Sequence, residues 1–264
     1  MREVDRALAR AYAQRGASDR AGVPPAPHLP ARANEPGEAS PRLGPGVEPP
    51  PAPRDGIVLQ WPKTVRVLER EFGDRFAGLA DALIAARDQR GLKVVLFTSC
   101  HRAEGRTTLV LTLARALARR PGRTLLVDAD LSGPMLARLL GARPKRGLDD
   151  VVEEGVALAE AVIEAPDDHL SLLPLRAPVA RPREFVSSPA WTGVLSRLRR
   201  DFDLVLLDGS PLFSGLSAAI LPGSIDAAVL VHNRPSTGER ALLRAREVLE
   251  AGGVPLLGIA ETFV

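Results

Sequence analysis

Residues Gly105, Arg106 and Thr107 combine three kinds of group that could bind a phosphate. They follow a short apolar run at 94–97, which predicts a strand buried on both faces, and they precede leucines at helical spacing. The N–H groups at the start of a helix are unsatisfied and attract anions. Gly105 would let the backbone approach the anion, Arg106 would supply a cation, and Thr107 would supply a hydroxyl for magnesium. This stretch therefore predicts a phosphate site between a strand and a helix.

The loop departs from the pattern of a P-loop at two fixed positions. That pattern is G-x-x-x-x-G-K-[ST], and here Cys100 stands at its first glycine and Arg106 at its lysine. Read alone, the loop is also compatible with a strand-to-helix turn that only packs. A thiol at a helix start can be reactive. Cys100 and His101 have no partners at metal-ligand spacing, so a packed thiol and a solvated imidazole are the simpler interpretation.

Acidic residues end two other buried runs. Asp128 and Asp130 follow the apolar residues 125–127, and Asp208 ends the run 203–208. In sheets of parallel strands, ligands bind beyond the carboxyl ends of the strands, so we expect these acids to converge on the loop. Carboxylates beside a phosphate are reasonable if Mg²⁺ lies between them. The acids therefore favour a nucleotide site, although each of them alone could be a helix cap.

The composition is that of an ordinary soluble protein. The 264 residues are 45% hydrophobic and 25% charged, with a formal net charge of +3. That charge does not indicate nucleic acid, and no such partner is expected. A single cysteine excludes an internal disulfide framework. No apolar run approaches the roughly 18 residues of a membrane-spanning helix and the start lacks a signal-peptide core, so we expect a cytoplasmic location, peripheral at the inner membrane only through a partner.

Three segments differ in composition. Residues 1–15 could form a short helix or a frayed terminus. Residues 16–56 contain eleven of the 24 prolines and no hydrophobic periodicity, which predicts a disordered, proline-rich linker. Residues 57–264 form the predicted globular domain, a P-loop NTPase-like unit of usual size.

Within that domain, helical and strand patterns alternate. Apolar residues at three- and four-residue spacing predict one or two helices at 63–87. Buried strands alternating with helices predict an α/β fold, a mostly parallel sheet with helices on both faces. The predicted strands are 94–97, 125–127, 170–175, 203–208, 227–231 and 256–260; helical segments are predicted at 134–140, 148–152, 158–163, 182–200 and 238–251.

Three segments resemble motifs of the bacterial tyrosine kinases (BY-kinases) of capsule and exopolysaccharide synthesis. Residues 98–108 look like the Walker A segment, 125–134 resemble the second Asp-x-Asp box, and 202–211 resemble the Walker B strand with its proline turn. The resemblance covers the sequence from about Gly91 onward, in the family's order and spacing. It implies the P-loop NTPase type of fold, which the partition ATPases share.

The resemblance also implies a site for ATP and Mg²⁺. Arg106 would act on the transferred phosphoryl group, and Asp130 would orient or deprotonate the nucleophile. Thr107, Asp128 and Asp208 would serve the metal, Asp208 through a bound water. The implied partners are a membrane polysaccharide co-polymerase or another envelope protein, and further copies of the chain. The nucleotide would be bound by Ala103, Glu104, Gly105, Arg106, Thr107 and Thr108.

Several positions depart from the family's pattern. The usual lysine is Arg106, and arginine is a planar fork that needs more room. Phosphate could still bind while the geometry of transfer suffers, so we expect weak phosphoryl transfer or none. Kinase members usually carry a tyrosine-rich tail, whereas Tyr12 is the one tyrosine here. Further departures are Arg102-Ala103 for Pro-Gly, Ser132 for an arginine, Gly209-Ser210 for Thr-Pro, and Asp74 and Ala77 for the two arginines after Glu71.

Two classes of function remain open at this stage. The retained acids favour an ATP-binding enzyme of the BY-kinase or ATPase type. Arg106, Ala103 and the lack of tyrosines favour a non-catalytic nucleotide switch or scaffold for an envelope assembly. A partition-type ATPase is a further alternative, but the sequence has neither a terminal amphipathic membrane helix nor a strong basic run.

Overall fold

The computed structural model describes residues 56–214 and 224–262. The predictions for residues 1–15, and for nearly all of the proline-rich segment 16–56, lie outside these ranges. The proposed boundaries between segments therefore stay predictions.

Seven strands form one sheet in the described part of the chain. β3 runs antiparallel to β4, and every other neighbouring pair is parallel. Their spatial order is β3-β4-β2-β5-β1-β6-β7 when they are numbered along the chain: β1 (Val94–Ser99), β2 (Thr124–Ala129), β3 (Ile163–Ala165), β4 (Leu170–Leu173), β5 (Leu204–Gly209), β6 (Ala227–Asn233) and β7 (Leu256–Thr262). The predicted mostly parallel α/β fold is confirmed.

Helices cover both faces of this sheet. Short helical turns also occur at Asp150–Glu154, Pro166–Asp168 and Leu212–Ser214. The α-helices are α1 (Lys63–Arg90), α2 (Arg106–Ala118), α3 (Leu136–Leu139), α4 (Leu158–Ala161), α5 (Pro182–Ser187), α6 (Pro189–Asp201) and α7 (Glu239–Ala251). For residues 182–200 the sequence predicts one helix or two, and the structure has two, because Ser188 is extended and its hydroxyl caps α6 by accepting the N–H of Trp191.

The inner strands β1, β2, β4, β5 and β6 are buried on both faces, which explains their continuous apolar sequences. Side chains of β1 alternate between the two cores: Val94 and Leu96 face α5, α6 and α7, whereas Val95 and Phe97 face α1 and α2. The sheet is therefore the rigid centre of the domain, and the loops at its carboxyl edge are held from both sides.

One element differs in type from the sequence prediction. The helical turn predicted for 158–163 ends at Ala161, and the next residues form the antiparallel edge strand β3. Three residues are too few to show a strand periodicity, so the pattern could not reveal it. The one or two helices predicted at 63–87 form one element, α1, with a kink at Phe72, whose φ of −127° and ψ of 21° are non-helical.

Candidate nucleotide site at the carboxyl edge of the sheet

Residues 100–105 connect β1 to α2 and form the predicted phosphate loop. Ala103 and Gly105 have left-handed backbones, with φ of 62° and 80°. A Cβ on Gly105 would lie 3.1 Å from the side chain of Thr262, so both the backbone and the packing require glycine there. Ala103 holds its conformation against the steric preference of an L-residue, so a glycine would adopt this backbone at a lower cost.

The buried carboxylate of Glu104 anchors the loop to the ends of β6 and β7. Its Oε2 accepts the His101 N–H at 2.7 Å, and its Oε1 accepts the Thr237 hydroxyl and the Asn233 N–H. The Thr262 hydroxyl donates to the Glu104 carbonyl at 2.7 Å. The Glu104 side chain therefore points into the protein, and any contact with a nucleotide would come from its backbone.

Arg106 begins α2, and its guanidinium lies under the loop with a side-chain exposure of only 9%. Its Nε donates to Asp208 Oδ1 at 2.8 Å, and its Nη2 donates to Asp130 Oδ2 at 2.9 Å. A third donor, Nη1, lies 3.2 Å from the hydroxyl of Ser99. The fold thus brings together the predicted phosphate cation and two of the predicted acids, and it pairs them with one another.

Asp130 is enclosed by donors on both of its oxygens. Besides Arg106, the exposed Arg102 contacts Oδ2 with its Nη1 at 3.5 Å. The hydroxyls of Ser132 and Ser210 each donate to Oδ1 at 3.1 Å. Arg102 also donates to the Ser132 hydroxyl at 2.7 Å, so it spans the space between the phosphate loop and the loop after β2.

Arg102, Ser99 and Ser210 were not among the predicted site residues. A signal for Arg102 was nevertheless present, because the resemblance described above implies an arginine at position 132, where this chain has serine. Arg102 places a guanidinium beside position 132, because its side chain contacts that of Ser132.

Asp128 is fully buried and caps the short helix α3. Its Oδ2 accepts the N–H groups of Met135 and Leu136 at 2.9 and 2.8 Å, and its Oδ1 accepts the N–H of Asp130. Burial raises the pKa of Asp128 to about 7, and the nearby charge of Asp208 acts in the same direction. The role that the structure displays for this carboxylate is that of a backbone cap.

Asp208 lies directly across from Asp128 in the paired strands β2 and β5. Burial raises the pKa of Asp208, whereas Arg106 and the hydrogen bond from the Thr107 side chain favour its charged form. Thr108 lies one residue further into α2, where its carbonyl accepts the hydroxyl of Thr112.

The residues fit an ATP–Mg²⁺ complex only in part. Thr107 and Asp208 are in contact, and a hydroxyl beside a carboxylate suits magnesium. Asp128 gives its oxygens to backbone N–H groups, and no cluster of three or more His, Cys, Asp or Glu residues suited to a metal occurs in 56–214 or 224–262. A phosphate at the loop would also have to compete with Asp130 and Asp208 for Arg106.

Cys100 matches the simpler interpretation of the sequence. Its side chain is buried, and its thiol lies 3.7 Å from the carbonyl of Ala241. Burial raises the pKa of Cys100 to about 12, with a further contribution from Glu104. A thiol in this state is a packing group and not a nucleophile.

The loop between β1 and α2 and the acids at the ends of β2 and β5 define a P-loop NTPase type of α/β domain. Solved structures agree with this class. The BceF tyrosine kinase domain superposes with a TM-score of 0.64 at 25% identity, covering 79% of this chain and 92% of that one. MinD of Pyrococcus horikoshii, solved with Mg-ADP, superposes with a TM-score of 0.53 at 24% identity over 64% and 69% of the two chains.

Sequence similarity to known proteins relates the chain to one family within this class. The tyrosine-protein kinase YwqD of Bacillus subtilis is 28% identical over 205 residues, which span 78% of this chain and 84% of YwqD. The tyrosine-protein kinase CpsD of Streptococcus pneumoniae is 27% identical over 169 residues, or 64% and 74% of the two chains. No model of a known protein family matches the sequence. The chain is a relative of the bacterial tyrosine kinases, as its motifs predict.

Among the helices in 56–214 and 224–262, none combines the length and the apolar character that crossing a bilayer requires.

Proposed function

We propose that this chain is a BY-kinase-like pseudokinase of capsule or exopolysaccharide assembly, which binds ATP with Mg²⁺ weakly and transfers phosphoryl groups slowly or not at all. The observation that carries the proposal is the pairing of Arg106 with Asp130 and Asp208. The similarity to proteins that are named tyrosine-protein kinases supports the proposal that this chain is BY-kinase-like.

The electrostatic argument starts from the charge that a transferring phosphoryl group develops. Catalysis of this transfer rests almost wholly on positioning and on cations that stabilise that charge. The charge of Arg106 is already balanced by two carboxylates within 3 Å of its guanidinium. Binding phosphate would require the guanidinium to leave at least one of them, which lowers the affinity for nucleotide.

Asp130 is equally restricted as a base. Its oxygens accept hydrogen bonds from Arg106, Ser132 and Ser210, and Arg102 lies against it. A general base must reach the proton that it abstracts. Here the acceptor sites of Asp130 are occupied by donors of the protein itself. This supports a loss of phosphoryl transfer more than a loss of nucleotide binding.

The proposed partner is a membrane polysaccharide co-polymerase or another envelope protein, and the chain would reach the inner membrane through it. The similarity to a solved chimera, CapA2B2, supports this part, with a TM-score of 0.66 over 76% of this chain at 20% identity, a likeness of fold. Self-association is a separate part of the proposal. The altered residues Asp74 and Ala77 in α1 weaken the case for the family's usual assembly.

The test is transfer from radiolabelled ATP to a tyrosine-containing peptide, together with ATP hydrolysis. We expect background rates for the native chain, a gain of hydrolysis in Arg106→Lys, and a larger gain when Ala103→Gly is added. Arg246→Lys, on the exposed side of α7, is the matched control. Native turnover in the range of about 1–100 s⁻¹, typical of kinases, would contradict the proposal.

A scaffold that binds no nucleotide is the second candidate, and one observation favours it. All three kinds of nitrogen of the Arg106 guanidinium have partners within the protein, so the site is complete without a phosphate. Absence of saturable binding at millimolar Mg-ATP would select this candidate. The similarity to MinD is one of fold, and it gives a partition-type ATPase no further support.

A further inference from the structure

A cavity of about 560 Å³ opens beside the phosphate loop, and Arg106 is not among the residues that line it. It lies between the loop, the helical turn Leu212–Ser214 and α7. Its volume is within the range of small-molecule sites. The side chains that define its chemistry are those of His101, Leu212, Phe213, Arg240, Arg244 and Val248.

The floor of this cavity is apolar and aromatic. Leu212 is buried, and the ring of Phe213 meets that of His101 edge to face, with centroids 5.5 Å apart. The guanidinium carbon of Arg244 lies 5.8 Å from the centre of the Phe213 ring. A planar aromatic group could pack on such a floor in the same edge-to-face or offset manner.

The rim of the cavity is cationic. Arg240 and Arg244 stand one turn apart on α7, and neither forms an ion pair with a carboxylate of the described residues, although Glu239 and Glu247 lie on the same helix. Arg246, which points away from the cavity, does pair with Glu250 at 2.7 Å. The two rim arginines therefore keep donors for an external anion.

We propose that this cavity binds an aryl phosphate, and that its protein-borne ligand is a phosphotyrosine side chain. A phosphate carries between about −1.5 and −2 charges at neutral pH and three acceptor oxygens, which suits two guanidiniums and an imidazole better than a single carboxylate would. Arginine clusters are a recurring device for reading phosphorylated motifs. The aromatic floor would hold the ring, and the rim would hold the phosphate.

The inference concerns a second site and does not depend on nucleotide binding at the loop. Mg-ATP should not displace the aryl phosphate, and Arg106→Lys should bind it as the native chain does. Failure of the nucleotide proposal would leave both expectations unchanged. Loss of aryl phosphate binding in Arg106→Lys would place the ligand at the phosphate loop and overturn the second site.

The experiment is calorimetric titration of the full chain with phenyl phosphate, inorganic phosphate, and a phosphotyrosine peptide beside its unphosphorylated twin. We expect saturable binding of phenyl phosphate and of the phosphopeptide, and binding of the other two probes at least about tenfold weaker, since each lacks half of the recognition. If phenyl phosphate binds and the phosphopeptide does not, the proposal that the ligand is a phosphotyrosine side chain of a protein is overturned. Equal binding of inorganic phosphate would overturn the role of the aromatic floor.

Variants locate the ligand. Arg240→Gln and Arg244→Gln should each weaken binding by about tenfold or more, the scale of a lost charged hydrogen bond. Arg246→Gln, two residues from Arg244 and outside the cavity, should bind as the native chain does. Unchanged affinity in both rim variants, or an equal loss in Arg246→Gln, would overturn the proposal.

Discussion

The arginine of the phosphate loop and the two arginines at the rim of the cavity differ in burial and in charged partners. Arg106 is buried under the loop with Asp130 and Asp208 on its guanidinium. Arg240 and Arg244 stand at the surface beside an apolar floor, and neither pairs with a carboxylate of the described residues. The comparison shows that a place in the phosphate loop does not by itself make a cation available. Availability depends on which acids the fold brings to that cation.

The largest expected effect comes from removing the buried cation. Arg106→Met would leave the buried Asp208 without a counter-charge and Asp130 with only the exposed Arg102, so we expect the free energy of unfolding to fall by about 3–5 kcal/mol. Urea denaturation measures it. Arg106→Lys keeps the charge and should lose less.

The matched variant at the surface is Arg244→Gln. Its guanidinium pairs with no acid in 56–214 or 224–262, so we expect the free energy of unfolding to change by less than about 0.5 kcal/mol. Similar losses in Arg106→Met and Arg244→Gln would break the comparison between the two groups.

The second effect is a pH dependence that sharpens the description of the acids. Asp128 has a pKa of about 7 in the folded chain against an ordinary 3.8. Between these values the folded state binds more protons than the unfolded state, so the free energy of unfolding falls as pH rises from about 4 to about 7. This group contributes a slope of at most about 1.4 kcal/mol per pH unit and no slope above its folded pKa.

Two asparagine variants test the origin of that slope. For each of them, the free energy of unfolding is measured by denaturation across the same pH range. Asp128→Asn should reduce the slope. Part of the slope should remain in this variant, because the pKa of Asp208 is also raised. Asp88→Asn, at an exposed carboxylate whose pKa is lowered by Arg87, should leave it in place. A stability that rises between pH 4 and 7 in the native chain but not in Asp128→Asn would contradict the assignment.

The sequence predicted the sheet and the meeting of the acids for a physical reason. Asp128, Asp130 and Asp208 follow buried runs, and the carboxyl ends of parallel strands share one edge. What could not be predicted is which groups pair there. The contacts of Arg106 depend on side-chain directions across three elements, and those of Arg102 depend on the path of a loop. The sequence pattern did not predict the edge strand β3, because three residues are too few to show a strand periodicity.

The third and smallest effect tests the loop backbone. Ala103 has a φ of 62°, a conformation that costs an L-residue about 1 kcal/mol or slightly more. Ala103→Gly should therefore raise the free energy of unfolding by about 1 kcal/mol, measured by urea denaturation. Ala85→Gly, inside α1, should lower it by roughly 0.5–1 kcal/mol because glycine weakens a helix. The same sign in both variants would show that Ala103 is not strained.

The central claim is that Asp130 and Asp208 compete with phosphate for Arg106, and nucleotide affinity tests it most directly. We would titrate Mg-ATP into the native chain, Asp130→Asn and Asp128→Asn by calorimetry. Asp128→Asn makes the same substitution at a nearby carboxyl group whose oxygens accept backbone N–H groups and do not contact Arg106. The account predicts weak binding by the native chain, an affinity about tenfold higher in Asp130→Asn, and a much smaller change in Asp128→Asn. Equal affinities in the native chain and Asp130→Asn, or the same increase in both variants, would contradict it.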